Sequence, residues 1–149
     1  MKFRLVDQIT AWTPWQSISG VKAVSFEEYS LKDAFGEAAR FPELLLLESF
    51  LQLGNWLVVL SSEFTLMGMV VRISEVCFHE PLLPGQILRL HVRLIQRHED
   101  GFEFQGKGSA GGRSVISGSG CLASPVALKE YHDPEDLRVL YAEICRLER

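Results

Sequence analysis

Hydrophobic and polar positions in this chain follow two different periods. From Leu88 they alternate, with Leu88, Leu90, Val92 and Leu94 on one side and Arg89, His91 and Arg93 on the other. A period of two is that of a half-buried strand. Phe102 to Ala110 and Arg113 to Ala123 continue it on either side of Gly111-Gly112, a two-residue hairpin signal. Phe64 to Phe78 is long and β-rich, and the PLLPG segment from Pro81 to Gly85 turns the chain after it. Val21 to Tyr29 is shorter and reads as one more strand.

Two segments break the alternation. Leu44 to Ser61 is apolar almost all round, interrupted by Glu48, Gln52 and Asn55, which predicts a helix enclosed by other structure. Pro42 suits the first turn of that helix or the residue before it. Near the C-terminus, Asp133 is a good N-cap, Pro134 fits the first helical position, and Glu135 and Asp136 bring acid to the first turn. Leu137, Leu140, Tyr141 and Ile144 then form one apolar stripe, predicting a helix docked on the domain surface. Consecutive hairpins imply an antiparallel sheet, and the apolar helix is what that sheet must cover. The expected class is α+β, a curved sheet wrapped on a central helix.

Length and charge narrow the reading further. The 149 residues fit one domain. Fifteen basic against nineteen acidic residues leave a net charge of −4, which speaks against nucleic-acid binding by bulk charge. Cys77, Cys121 and Cys145 are odd in number and widely spaced, offering neither a disulfide framework nor a zinc site. The first ten residues lack the apolar run of a signal peptide. The segment Leu44 to Leu60 falls short of the roughly 20 residues that cross a bilayer. The expectation is a cytoplasmic protein without a membrane span.

Few motifs carry chemistry. Gly106 to Gly111 matches G-x-G-x-x-G as a string, but a dinucleotide site needs a helix after that loop, and here a hairpin follows. His79, His91, His98 and His132 are scattered without metal-ligand spacing, and no serine sits in a nucleophile elbow. His91 reads as a solvated residue. Glu48, Gln52 and Asn55 are more informative, because i, i+4, i+7 spacing places them on one helix face. That face either meets solvent or a hydrogen-bonded interface, or it forms a polar strip in an apolar cavity, where an acid or base could work.

At this helix the sequence resembles the β-hydroxyacyl-acyl-carrier-protein dehydratases of the FabA/FabZ type. Their signature, H-F-P-G-x-P-x-x-P-G and then an apolar helix with an acid, Gln and Gly, can be laid on this chain without gaps. Phe35 falls on the signature Phe, Pro42 on the Pro of the second P-G, Glu48 on the catalytic acid, and Gln52 and Gly54 on the Q-x-G. Downstream, Phe78, Pro81, Pro84-Gly85, Leu88 and Leu90 follow the family's F-x-x-P-x-x-P-G-D-x-L-x-L segment, with Gln86 at the usual Asp. Leu5 to Ile9 and the strand from Val21 also fit. The likeness covers residues 1 to about 124, and residues 125–149 form an extension carrying the second helix.

The resemblance implies the hotdog fold, a dimer, and substrates delivered as acyl carrier protein or coenzyme A thioesters, with no cofactor and no metal. It assigns Phe35, Phe41, Pro42, Gln52 and Phe78 to the substrate site. In the family the signature His removes the α-proton, the helix acid handles the departing hydroxyl, and a Gly N–H holds the thioester oxygen. Here the His position is Ala34, the Gly position is Glu43, and the first P-G is Gly36-Glu37. A general base contributes about 10²–10⁴-fold, or roughly 3–5 kcal/mol, so efficient dehydration by this chain alone is not expected. Arg40 cannot serve, since guanidinium stays protonated.

Three functions follow as expectations. The first is a dehydratase-like protein of fatty-acid or polyketide type metabolism that binds acyl thioesters, alone or as the partner of an intact dehydratase, lending Glu48 to that partner's His. The alternative is an acyl thioesterase using Glu48 as base or nucleophile with Gln52 beside it. A ligand-free structural protein is the third. Because the carrier is acidic, its docking site should be basic, and Arg89 and Arg93 share a strand face, with Arg97, Lys107 and Arg113 as possible neighbours.

Overall fold

The computed structural model describes residues 4–25 and 40–148. Six strands form a single antiparallel sheet in the order β1-β2-β4-β5-β6-β3: β1 Gln8–Thr13, β2 Ser17–Ala23, β3 Leu66–Phe78, β4 Ile87–His98, β5 Gly101–Ala110 and β6 Arg113–Ala127. The sheet curves round one long helix, α1, Glu43–Ser61, and a second helix, α2, Pro134–Ile144, follows β6 after a short 3-10 turn, Leu128–Glu130. This is the curved sheet on a central helix that the patterning predicts, and the hotdog fold that the resemblance implies.

Burial explains why α1 is helical. Leu46, Phe50, Leu53, Leu57, Val58 and Leu60 are buried against the concave face of the sheet. They meet Ile18, Leu88, Leu90, Val92, Phe102, Phe104 and Ile116 in one core. The helix has the length and mean hydropathy, 1.6, of a membrane span, but nine of its nineteen residues are buried inside the fold. Enclosure is incomplete at its start, where Leu44 is 79% exposed.

The glycines of the G-x-G-x-x-G string have packing and turning roles. A Cβ on Gly106 would lie 2.4 Å from the His91 carbonyl oxygen and 2.7 Å from the Phe50 ring, so the missing side chain lets the helix sit close on β5. Gly111 and Gly112 have φ values of 58° and 76° and form the hairpin turn between β5 and β6, the conformation glycine tolerates best.

Several strand limits differ from expectation. The strand expected from Val21 begins at Ser17 and ends at Ala23, and residues 26–29 lie outside the described residues. β1 was not anticipated. It pairs with β2 across a turn in which Trp15 takes a φ of 54° and its N–H donates to Ser61 Oγ at 2.8 Å. The strand expected from Phe64 starts at Leu66, because Glu63 and Phe64 occupy left-handed conformations at the end of α1. β6 runs on to Ala127. His91 is not simply solvated: it is half-buried and its Nδ1 is 2.8 Å from Ser19 Oγ on the neighbouring strand.

The two ends of the sheet are finished differently. Beyond α2 the chain lies along β1, with Arg146 N–H bonded to Ile9 O at 2.9 Å and Glu148 N–H to Thr10 O at 2.8 Å. β3 is the other edge strand, and Met69, Val70 and Val71 on it are exposed.

Candidate functional site

Glu48, Gln52 and Asn55 emerge from α1 on one face, as their spacing requires, and line a cavity of about 340 Å³. Glu48 is half-buried, and its Oε1 accepts a hydrogen bond from Gln52 Nε2 at 3.3 Å. Gln52 Oε1 in turn accepts from the Leu5 N–H at 3.2 Å, while Asn55 Oδ1 accepts from the Gly68 N–H of β3 at 2.8 Å. The two amides thus tie α1 to the N-terminal segment and to β3, and in doing so they hold the acid at the cavity wall. The remaining lining is mainly apolar, with Leu51, Trp56 and Val59 from α1, Met67 and Val70 from β3, and Leu137, Leu140 and Ile144 from α2, but it also includes Arg4, which is paired with Glu143 of α2.

Among the expected site residues that the structure describes, only Glu48 and Gln52 meet in this cavity. Phe41, Glu43 and Phe78 lie together around a second, smaller hollow of about 50 Å³ at the start of α1. Phe41 is buried and its N–H donates to Leu82 O at 2.7 Å. Pro42 is exposed and is the residue before the helix, its carbonyl accepting from the Leu45 and Leu46 amides. Glu43 is exposed at the first helical position. The separation of Glu43 from Glu48 has a geometric cause, since five residues turn an α-helix by about 500°, leaving the two side chains roughly 140° apart. Ala34 and Phe35 lie outside the described residues.

Arg89 and Arg93 are exposed on the convex side of β4, and Lys107 of β5 stands opposite His91 between them. The cluster has an electrostatic signature: burial, then Lys107, then Arg93 push the His91 imidazole below its usual pKa. Arg97 does not join the cluster. A register shift between Leu94 and Gln96 redirects the strand, and Arg97 lies 3.9 Å over the Trp15 ring.

Sequence reasoning missed His132 and the wall that α2 contributes. His132 is half-buried and lines the cavity, and burial is the main cause lowering its pKa. The amphipathic stripe of α2 was the available signal, but periodicity reports that a face is covered without reporting by what. Lys22 was also unforeseen: its side chain is 2% exposed, with Nζ 3.6 Å from Asp7 Oδ2.

Comparison with known proteins places this geometry in a family. The FabA-like domain model matches residues 1–119. The chain belongs to the FabA-like family. It is 31% identical over 114 residues to the 3-hydroxyacyl-(acyl-carrier-protein) dehydratase FabZ of Oleidesulfovibrio alaskensis, covering 74% of each chain. Among solved structures, the dehydratase heterocomplex ApeI:P of Xenorhabdus doucetiae superimposes with a TM-score of 0.63 at 16% identity, over 92% of this chain and 89% of that one. A hypothetical thioesterase of Streptococcus pneumoniae, solved with coenzyme A, gives a TM-score of 0.63 at 13% identity, over 80% of this chain and 88% of that one. At these identities the two structures share the hotdog fold with this FabA-like chain. The family match ends inside β6, so α2 lies beyond it.

Proposed function

We propose that this FabA-like chain binds acyl thioesters, carried by acyl carrier protein or coenzyme A, with Glu48 as the acid beside the thioester and Gln52 orienting it. The observation that carries this reading is the cavity whose wall holds the Glu48–Gln52 pair, with Arg4 nearby, and whose remaining lining is largely apolar. Its volume lies within the small-ligand range of about 300–1,000 Å³.

Dehydration of a 3-hydroxyacyl thioester removes an α-proton and expels the hydroxyl as water, so it needs a base and an acid. Glu48 supplies one carboxyl group, and Ala34 supplies no base. The chain therefore acts as the acid-bearing half of a dimer, and dehydration proceeds when an intact dehydratase contributes the imidazole. The β3 edge supports dimer formation, because an open strand with exposed Met69, Val70 and Val71 invites pairing with another copy or a related chain. Glu43 adds a carboxylate at the position that resembles the family's oxyanion Gly, although its exposure to water weakens that charge. Phe41 and Phe78 belong to the same site when the dimer is formed, with Pro42 beside them, and the resemblance adds Phe35 to the same substrate site. Arg89, Arg93 and Lys107 form the basic face for an acidic carrier. A cytoplasmic setting fits the three free thiols.

The test is turnover of a 3-hydroxydecanoyl thioester by the purified chain. It is expected to stay at least 100-fold below that of an intact family dehydratase, and Ala34→His is expected to raise it. Wild-type turnover equal to that of an intact enzyme contradicts the reading.

A second reading, an acyl thioesterase, is favoured by the Glu48–Gln52 hydrogen bond, since a lone acid positioned by an amide could activate water without any imidazole. Thioester hydrolysis that vanishes in Glu48→Gln supports it. No hydrolysis of short, medium or long acyl thioesters removes it.

A further inference from the structure

The helix beyond the family match forms a wall of the Glu48 cavity, and its direction along α1 is fixed by contacts at both ends. At one end, Arg4 joins Glu143 of α2 at 2.6 Å, while Leu5 beside it bonds Gln52. The C-terminal end of α2 is therefore next to the Glu48 end of α1. At the other end, the Arg138 guanidinium lies 4.4 Å over the Phe64 ring and donates to Glu63 O at 3.4 Å, just past the C-terminus of α1. The helices run antiparallel, with the cavity between them. Arg4, Glu48 and Gln52 line one end of it, Asn55, occupied with the Gly68 N–H, lies midway along α1, and Leu128 of the 3-10 turn and His132, just before α2, line the other end. From Glu48 to Val59 the cavity follows eleven residues of α1, about 16 Å at 1.5 Å per residue.

An elongated space with an acid and an amide at one end and leucines along its side matches one class of occupant, an unbranched acyl chain whose carbonyl lies at the polar end. We propose that α2 is the length gauge of this site: Leu137 and Leu140 form the side wall against which the chain lies, and Leu128 with His132 stop its far end. The inference rests on the acyl-thioester reading and adds to it which residues, peculiar to this chain's extension, choose the acyl length. Two features suit α2 to the task. Leu137 and Leu140 are only half-buried, so they can be replaced without opening the main core. Burial also keeps the His132 ring towards its neutral form, compatible with an apolar chain end.

The experiment is calorimetric titration of the full chain with a series of acyl-pantetheine amides, from hexanoyl to hexadecanoyl, in which the amide replaces the labile thioester. Wild-type affinity is expected to rise roughly four-fold per added methylene while the chain still finds apolar wall. It should then fall by at least about ten-fold at hexadecanoyl, once the far end is reached. Leu137→Trp is expected to move the optimum to a shorter chain, and His132→Ala, which removes a half-buried stop at the far end, to move it to a longer one. An unchanged optimum in either folded variant overturns the gauge and leaves the acyl-thioester reading standing. No binding of any chain by the wild type overturns both.

Discussion

The two helices reach the same cavity from opposite sides and are held by different physics. α1 has no side-chain cap, since Pro42 precedes it, and carries Glu43 as the acid of its first turn. Its helicity comes from burial, with Leu53 and Leu57 fully enclosed by the sheet. α2 is locally encoded: Asp133 Oδ1 accepts from the Glu135 N–H at 2.9 Å, Pro134 begins the helix, and Glu135 and Asp136 complement its dipole. Its docking rests on Ile144 in the core and on Tyr141, which packs on Trp56 and Phe64 and accepts from Trp12 Nε1 at 3.2 Å. A helix made by tertiary burial fixes the position of the acid, and a helix made by local signals can be adjusted without losing the fold.

Core truncation should show that asymmetry most strongly. Leu57→Ala is expected to cost about 3–5 kcal/mol in denaturant-induced unfolding, because a site closed on all sides cannot collapse into the cavity left behind. Ile144→Ala removes a side chain of similar size under a surface helix that can shift, and about 2 kcal/mol is expected. Equal losses at the two positions would break the comparison. Asp133→Ala removes one cap and is expected to cost about 1 kcal/mol. Hydrogen exchange should show that loss as faster opening of α2 amides, with the central α1 amides protected as before.

The smallest effect concerns pH. The folded state holds His91 below its usual pKa of 6.5, through burial and the nearby Lys107 and Arg93. Below about pH 6.5 the unfolded chain therefore binds more protons at this residue than the folded one. Its contribution to stability is complete above that pH and declines as the pH falls beneath it. His91→Gln should flatten the fall in unfolding midpoint between pH 7 and 5, and an unchanged slope would contradict the assignment.

Legibility of the sequence follows the same division. α1 and β4 to β6 could be read because their period reports burial on one or both faces, and Gly111-Gly112 declared the hairpin. β1 was hidden because Gln8–Thr13 is short and its partner Ser17–Ala23 is rich in small residues, which say little about pairing. The Glu48, Gln52 and Asn55 strip was legible as a face. That it opens on a cavity was not, since the opposite wall comes from Leu137 and Leu140, some ninety positions away in sequence, and long-range partners leave no mark on local periodicity. Likewise, the distance between Glu48 and the Phe41–Phe78 hollow depends on helix rotation, which motif alignment ignores.

The central claim is that an acyl chain lies between α1 and α2 with its carbonyl at Glu48. The most direct measurement is a crystal structure of the protein with decanoyl-pantetheine amide bound. The account predicts continuous density along Trp56, Leu137 and Leu140, with the amide carbonyl within hydrogen-bonding reach of the Glu48–Gln52 pair. Density for the chain elsewhere, with the space between the two helices closed by side chains, would contradict it.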